Sequence, residues 1–241
     1  FDRIRMIISN RCSTDYATGR VADETFSSDP KEILKRLSLT DEMRLIVMFE
    51  EGFPTNGYID CLDFLRPLEK AGCTIDLLSL GKLRTLVETV RKLTRFFADS
   101  KDGVYPNLKR MAAPVMSFPE VQRRIDQILD RFGDVKDSAS DKLQQIRRSL
   151  AAKESAISKR ANAILKQAQM NGFVDEDASL SVRDGKLLIP VNAANKKKIQ
   201  GFVYDSSSTG KTAFVQPIEI IELENEIAVL QAEEAQEIQH I

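Results

Sequence analysis

Apolar residues between positions 121 and 168 return every three or four places: Val121, Ile125, Ile128, Phe132, Val135, Ala139, Leu143, Ile146, Leu150, Ile157, Ala161, Ile164 and Ala168. The rhythm misses once, at 153–154. This spacing predicts helix with a single narrow apolar seam. Gly133-Asp134 breaks the first stretch, and Ser138 or Ser140 can cap a second that runs to about residue 170. A helix of roughly 30 residues spans about 45 Å. With one seam and no second apolar face, it reads as an arm that needs a partner helix. The partner comes later in the chain, where Ile218, Ile220, Ile221, Leu223, Ile227, Leu230, Ala235 and Ile238 keep helical spacing. Glu219, Glu222, Glu224, Glu226, Glu233, Glu234 and Glu237 decorate that second helix, while the first offers Arg147, Arg148, Lys153, Lys159, Arg160 and Lys166. The two would pair antiparallel, with exposed ion pairs setting orientation more than stability.

The first hundred residues also read as helices. Phe1, Ile4, Ile8 and Cys12 keep a step of three to four. Ser28-Asp29-Pro30 supplies a cap and a first-turn proline for a helix from about residue 30. That helix carries Ile33, Leu34, Leu37, Leu39, Met43, Ile46 and Val47, with a join expected near Ser38–Asp41. Glu51 to Gly57 is a loop, and Leu62, Leu65 and Leu68 mark a short helix near Pro67. Leu83, Leu86, Val87, Val90, Leu93, Phe96 and Phe97 share one face of a strong helix from Leu80 to Phe97. Asp99 to Asn107 is a loop, and Met111 to Phe118 a short apolar connector.

Between the two arm helices the period changes to two. Leu180 to Arg183, Leu187 to Val191, Ile199 to Tyr204 and Thr212 to Val215 read as strands. Asp184-Gly185 is a hairpin turn signal. Pro190 places its strand at an edge or a bulge. A small sheet therefore sits at the tip of a two-helix arm.

Composition narrows the function classes. The chain has 241 residues, 29% of them charged and 7% aromatic, with no Trp and a net charge of −1. No global basic field advertises nucleic acid, so any basic footprint must be local. Cys12, Cys61 and Cys73 form no CxxC pair and are odd in number, as expected of reduced, partly buried thiols in a cytoplasmic protein. The one histidine, His240, excludes Ser-His-Asp and most histidine-based acid–base schemes and leaves no zinc site. No apolar run has the length of a membrane span. Asp175-Glu176-Asp177 follows Gly172 in a loop, without a partner group that would make it catalytic. The chain starts at Phe1 without an initiator Met and stops inside a helical pattern, so a segment of a longer protein is expected.

Gly210-Lys211-Thr212 ends like a phosphate-binding loop. Such a loop needs a glycine five residues upstream, and Asp205 stands there. It also needs a helix opening at the lysine, yet Ala213-Phe214-Val215-Gln216-Pro217 is strand-like. A Ser/Thr/Gly hairpin turn is the better reading. The stretch from 183 to 216 holds six cations, Arg183, Lys186, Lys196, Lys197, Lys198 and Lys211, against Asp184 and Asp205, a net of +4. A basic tip of this kind suits contact with a phosphate backbone, and flexible lysines suit shape recognition better than base readout. No helix here is ready to enter a major groove, and no exposed aromatic series points to single-strand stacking. The bland alternative is a solvated lysine loop.

Several separated motifs also occur in a familiar order. Gly201, Val203, Asp205, Ser207-Ser208, Gly210, Thr212, Phe214 and Pro217 resemble the clamp signature of the bacterial MutS-two branch of the MutS family. Asp130, Gly133, Val135, Asp137, Ala139-Ser140, Leu143 and Ile146-Arg147 resemble the same branch just before its long lever helix. Leu188-Ile189-Pro190-Val191 and Glu222-Leu223-x-Asn225 match as well. The similarity is specific over about 120–241 and looser through Phe1, Ser13, Gly19 and Asp60. One departure is Asn192, where family members often carry a basic residue.

The resemblance implies a mainly α chain with a small antiparallel β insert: a helical core domain at 1–118, lever helices at 119–171 and 218–241, and a β clamp at 172–217. It implies a non-catalytic segment without a cofactor, since the family's ATPase domain, with its ATP and Mg, follows the returning lever helix, and a nuclease-like domain often closes the chain. It further implies a cytoplasmic protein that is a homodimer at full length, without membrane contact, whose clamp meets branched DNA or ribosomal RNA. The competing expectation is a structural module that docks protein partners through its Glu-rich helix.

Overall fold

The computed structural model describes residues 1–101 and 103–241. The chain is mainly α with a small four-stranded antiparallel sheet. It divides into two compact units, Phe1–Lys136 and Asp137–Ile241.

The first unit contains α1 (Asp2–Ser9), α2 (Asp15–Ala22), α3 (Pro30–Phe49), α4 (Leu62–Leu65), α5 (Leu77–Asp99), α6 (Pro106–Ala112) and α7 (Pro119–Ile128). The Asp29 carboxylate accepts from the Lys31 amide at 3.0 Å and, with Pro30 in the first turn, starts α3. α3 then runs unbroken through Ser38–Asp41, where a join was expected. The Ser38 and Thr40 hydroxyls donate back to the carbonyls of Leu34 and Arg36, both at 2.9 Å, and so stay within the helix rather than capping a new one. Asp76 caps α5 by accepting from the Ser79 amide at 2.9 Å. Ile46, Phe97, Tyr105 and Leu108 form the buried core. Phe53 meets Phe96 and Phe97 edge-on, with ring centroids 5.2 and 6.2 Å apart. Cys12 and Cys61 are partly buried, whereas Cys73 is exposed, and all three are free thiols.

A carboxylate is buried in the same unit. Glu42 on α3 is 9% exposed. Its carboxylate accepts from the amides of Asn107 and Leu108 at 3.1 and 2.8 Å and from the Asn107 side chain at 2.7 Å. It thus satisfies the orphan N–H groups at the start of α6, where a negative charge is also favoured by the helix dipole.

The division between the compact units falls in the chain at 136/137, and the expected lever start was 119. α7 packs on α5, with Arg84 Nε 2.7 Å from Asp126 Oδ1 and Arg84 Nη1 donating to the Asp130 carbonyl at 2.7 Å. This pairing holds the stretch before Gly133 within the first unit.

The second unit is built on α8 (Asp141–Met170) and α9 (Ile218–His240), which pack on each other along their length. Ser140 caps α8 through its hydroxyl, which accepts from the Leu143 amide at 3.0 Å. Leu143, Ile146, Leu150, Ala161, Leu165 and Ala168 are the buried seam of α8, and Ile220 of α9 is fully buried. Four cross-helix ion pairs show the direction: Lys142–Glu237, Arg147–Glu234, Lys153–Glu226 and Arg160–Glu219. The first number rises as the second falls, so the helices are antiparallel.

At the root of this pair Glu237 is 6% exposed. Its carboxylate accepts from the Ser140 hydroxyl at 2.7 Å and lies 3.0 Å from Lys142 Nζ. The Ser140 bond first, then Lys142, hold its pKa below the ordinary carboxylate value. A depressed folded-state pKa contributes stability above the unfolded value, and that contribution is lost as pH falls through the folded one. Acidification from about pH 5 to about pH 3 is therefore expected to lower the melting temperature of wild type more than that of Glu237→Gln. Parallel pH–melting curves for the two proteins would show this contribution to be absent.

The sheet joins α8 to α9. It contains β1 (Ser181–Arg183), β2 (Lys186–Asn192), β3 (Gly201–Ser206) and β4 (Thr212–Pro217), in the order β1-β2-β4-β3. Pro190 lies on an inner strand, paired with Phe214 of β4. The pairing of β1 with β2 ends at Ser181–Leu188, so Pro190 has already lost its neighbour on the other side. The missing N–H therefore breaks no ladder bond. Ile189, Val191, Ala213 and Val215 face α8, where they bury Leu165, Ala168, Val174 and Ile199.

Gly201 begins β3 opposite Pro217. A Cβ there would lie 2.2 Å from the Gln216 carbonyl oxygen and 2.9 Å from Pro217 Cα. Both neighbours are backbone, so neither can swing aside. Gly201→Ala is expected to push β3 away from β4 and to destabilise the second unit by about 1–3 kcal/mol, read from the urea midpoint. An unchanged midpoint would mean that β3 shifts freely.

Candidate nucleic-acid interface

The Gly210-Lys211-Thr212 segment forms a hairpin turn between β3 and β4. The Gly210 amide donates to the Ser207 carbonyl at 2.8 Å, and the Ser207 amide to the Thr212 carbonyl at 2.8 Å. The Ser207 hydroxyl accepts from the Thr212 amide at 3.0 Å. Gly210 adopts φ +69°, which suits a residue without Cβ. A strand, not a helix, opens at Thr212.

The six cations expected at this site fall into two groups. Arg183 at the end of β1 lies over the Phe214 ring, 3.6 Å from its centroid, and pairs with Asp205 of β3. Lys186 at the start of β2 is 3.8 Å from Glu224 of α9, and Glu224 also accepts from Gln216 at 2.8 Å. These two side chains are engaged within the fold. Lys196, Lys197, Lys198 and Lys211 are exposed and have no carboxylate partner among the described residues. The chain turns after β2 through a short 3-10 segment at Ala193–Asn195. Its Ala193 amide donates to the Lys211 carbonyl at 2.9 Å, which sets Lys211 beside the turn that carries the other three lysines. Ile199 follows immediately and is buried against the sheet, so it anchors the lysine run on a fixed base. Four free ammonium groups thus share one border of the insert, where they can neutralise a phosphate backbone as point charges.

Asn192, at the position where a basic residue is frequent in the resembling family, donates to Asp175 Oδ1 at 3.2 Å. The Glu-rich helix is largely committed inside the chain. Glu219, Glu226, Glu234 and Glu237 face cations of α8, and Glu224 faces Gln216 and Lys186.

The sequence reading missed two aromatic side chains. Phe202 and Tyr204 stand on the exposed strand β3, 65% and 40% accessible. The Tyr204 hydroxyl donates to Asp184 Oδ2 at 2.8 Å. That bond, then burial and the charges of Asp184 and Asp205, raise its phenol above the ordinary pKa, so it remains a donor. The aromatic–x–aromatic alternation was visible as strand pattern. That β3 would lie at the sheet edge was not.

No family model matches the chain. It is 28% identical over 246 residues to a protein of Thermomicrobium roseum named Endonuclease MutS2, covering 100% of this chain and 30% of that protein. It is 31% identical over 212 residues to the Endonuclease MutS2 of Pelotomaculum thermopropionicum, covering 87% of the chain and 26% of the relative. With the Endonuclease MutS2 of Clostridium perfringens it shares 30% identity over 242 residues, again 100% of the chain and 30% of the relative. The chain thus spans about 30% of the length of the curated relatives it matches.

Proposed function

We propose that this chain, which matches a MutS2-type segment from end to end, is a lever and clamp that holds nucleic acid by its phosphate backbone. The observation that carries this reading is the group of four unpaired lysines, Lys196, Lys197, Lys198 and Lys211, gathered on one border of the β insert. Their charge stands out against a chain of net −1. The antiparallel α8–α9 pair carries that border at its far end, as an arm must if it is to reach around a ligand.

The role is one of holding. Branched DNA and ribosomal RNA both present closely spaced phosphodiesters, and either satisfies this chemistry. In the longer relatives the arm would be moved by the remainder of the protein, an ATPase that takes its own ATP and Mg, and two copies would close on the ligand from opposite sides. A docking role for α9 is less favoured, because most of its carboxylates already face cations or amides of the same unit.

Binding of the chain to a labelled four-way DNA junction and to a matched linear duplex, across a salt series, tests the reading. Affinity is expected to fall steeply with salt and to depend on the lysine group. Salt-independent binding, or none to either probe and none to ribosomes, would overturn it.

A further inference from the structure

Six cations of α8 were expected to face the glutamates of α9, and three of them do. Arg147, Lys153 and Arg160 pair with Glu234, Glu226 and Glu219. Arg148, Lys159 and Lys166 are exposed instead, and none has an ion-pair partner among the described residues.

The pitch of the helix explains the sorting. At about 100° per residue, steps of 11 and 18 residues return almost to the same side, so Arg148, Lys159 and Lys166 lie within about 20° of one another. They stand about 160° round the helix from the buried seam of Ile146, Leu150, Ala161 and Ala168. The paired cations flank that seam and reach α9, whereas these three lie on the outer side. Ala152, Ser155, Asn162 and Ala163 share the outer side with them, and all four are exposed, short and uncharged. The Asn162 amide folds back onto the Ser158 carbonyl at 2.8 Å. A ligand can therefore approach this side of the helix closely.

α8 carries two carboxylates. Glu154 lies about a third of the way round from the three cations. Asp141 is on their side but in the first turn, two turns before Arg148. From Arg148 to Lys166 the outer face thus presents three positive charges and no negative one.

The spacing selects the occupant. Along the axis, Arg148 and Lys159 are about 16 Å apart and Lys159 and Lys166 about 10 Å, at 1.5 Å per residue. The grooves of B-form DNA, about 12 and 6 Å wide between phosphate surfaces, set successive phosphate ridges about 18 and 12 Å apart between phosphorus centres. Both series run long, then short, and long flexible side chains make up the difference. A helix laid across the grooves sets one cation on each of three successive ridges.

We propose that the outer face of α8 is a contact surface for double-stranded DNA, with Arg148, Lys159 and Lys166 each meeting one of three phosphate ridges across a major and a minor groove. The proposal rests on the reading that this unit holds phosphodiesters, and it names a duplex, the arms of a branched molecule included, as what the lever touches. The surface is separate from the tip lysines. Lys198 lines a small cleft with Ile164, Gln167 and Asn171, on the flank of the seam.

The test uses a labelled duplex of about 20 base pairs, roughly two turns, and an oligothymidylate of the same length, each across a salt series. Arg148→Gln/Lys159→Gln/Lys166→Gln is expected to weaken duplex binding by about tenfold or more near 0.1 M salt and to flatten the log–log slope by about 2 to 3. Oligothymidylate binding should change little. The melting temperature should hold, because none of the three side chains has a partner in the fold. Arg148→Lys/Lys159→Arg/Lys166→Arg keeps the charges and should keep both affinity and slope. An unchanged duplex slope in the glutamine variant would leave a merely solvated face and sink the proposal. Equal loss on the oligothymidylate would show that the face follows any backbone, which would sink the fit to a duplex. Loss of affinity in the charge-preserving variant would overturn the role of charge. If neither the glutamine variant nor reversal of Lys196–Lys198 alters duplex binding, the phosphodiester reading itself fails. If reversal of those lysines alone weakens it, only the outer face of α8 falls.

Discussion

Replacing Lys196, Lys197 and Lys198 together with glutamate is expected to lower affinity for duplex DNA by about 100- to 1,000-fold near 0.1 M salt, and to flatten the log–log salt dependence by about 2 to 3. Each phosphate that a cation neutralises releases a condensed counterion and adds about −0.9 to that slope. Reversal removes three such contacts and adds repulsion. The fold should not suffer, because all three side chains are exposed and none has a carboxylate partner among the described residues. Arg183 and Lys186 would be poorer probes. Arg183 is tied to Asp205 and Phe214, and Lys186 lies near Glu224, so their loss would disturb the sheet as well as any ligand. Arg160→Glu is the control: it breaks the pair with Glu219 on the arm and leaves the lysine run intact. Fluorescence anisotropy of a labelled duplex reads both affinity and slope. An unchanged slope in the triple variant would remove the lysines from the interface.

Glu42→Ala is expected to destabilise the first unit by about 3 kcal/mol, read from the urea midpoint of the whole chain. The substitution deletes a buried acceptor and strands three N–H donors, two of them backbone groups at the start of α6. Water cannot readily replace the carboxylate, since Leu108 beside it is 4% exposed and belongs to the core. Glu42→Gln should cost less, because it keeps one carbonyl acceptor while turning an amide toward a donor. Equal effects of the two substitutions would show that packing, not hydrogen bonding, explains the position of Glu42.

The legible part of this protein was its local part. The three-to-four spacing of Leu143, Ile146 and Leu150, and of Ala161, Leu165 and Ala168, is set by the pitch of a helix, and a serine before it can cap it whatever else the protein does. Opposite charges on the two long helices foretold that they would pair antiparallel. The change of period after Gly172 and the Asp184-Gly185 turn placed the four strands. The same local logic dismissed Gly210-Lys211-Thr212 as a phosphate loop. The six cations of the insert were visible as a group, because charge can be counted without coordinates.

What stayed hidden depends on partners far along the chain. Glu42 looks like one more polar residue on a helix until Asn107 and Leu108 arrive from 65 and 66 positions away. Ser38 and Thr40 resemble a helix join until their hydroxyls are seen to bond inside α3. Pro190 implied an edge or a bulge, yet β2 is an inner strand whose neighbour ends just short of it. Sorting the six cations into two that are paired and four that are free needed the positions of Asp205 and Glu224. The exposure of Phe202 and Tyr204 needed the strand order. Periodicity and capping act over a few residues, so the chain carries them openly. Burial, pairing and edge position are properties of neighbours brought together by folding, and no single stretch of sequence contains them.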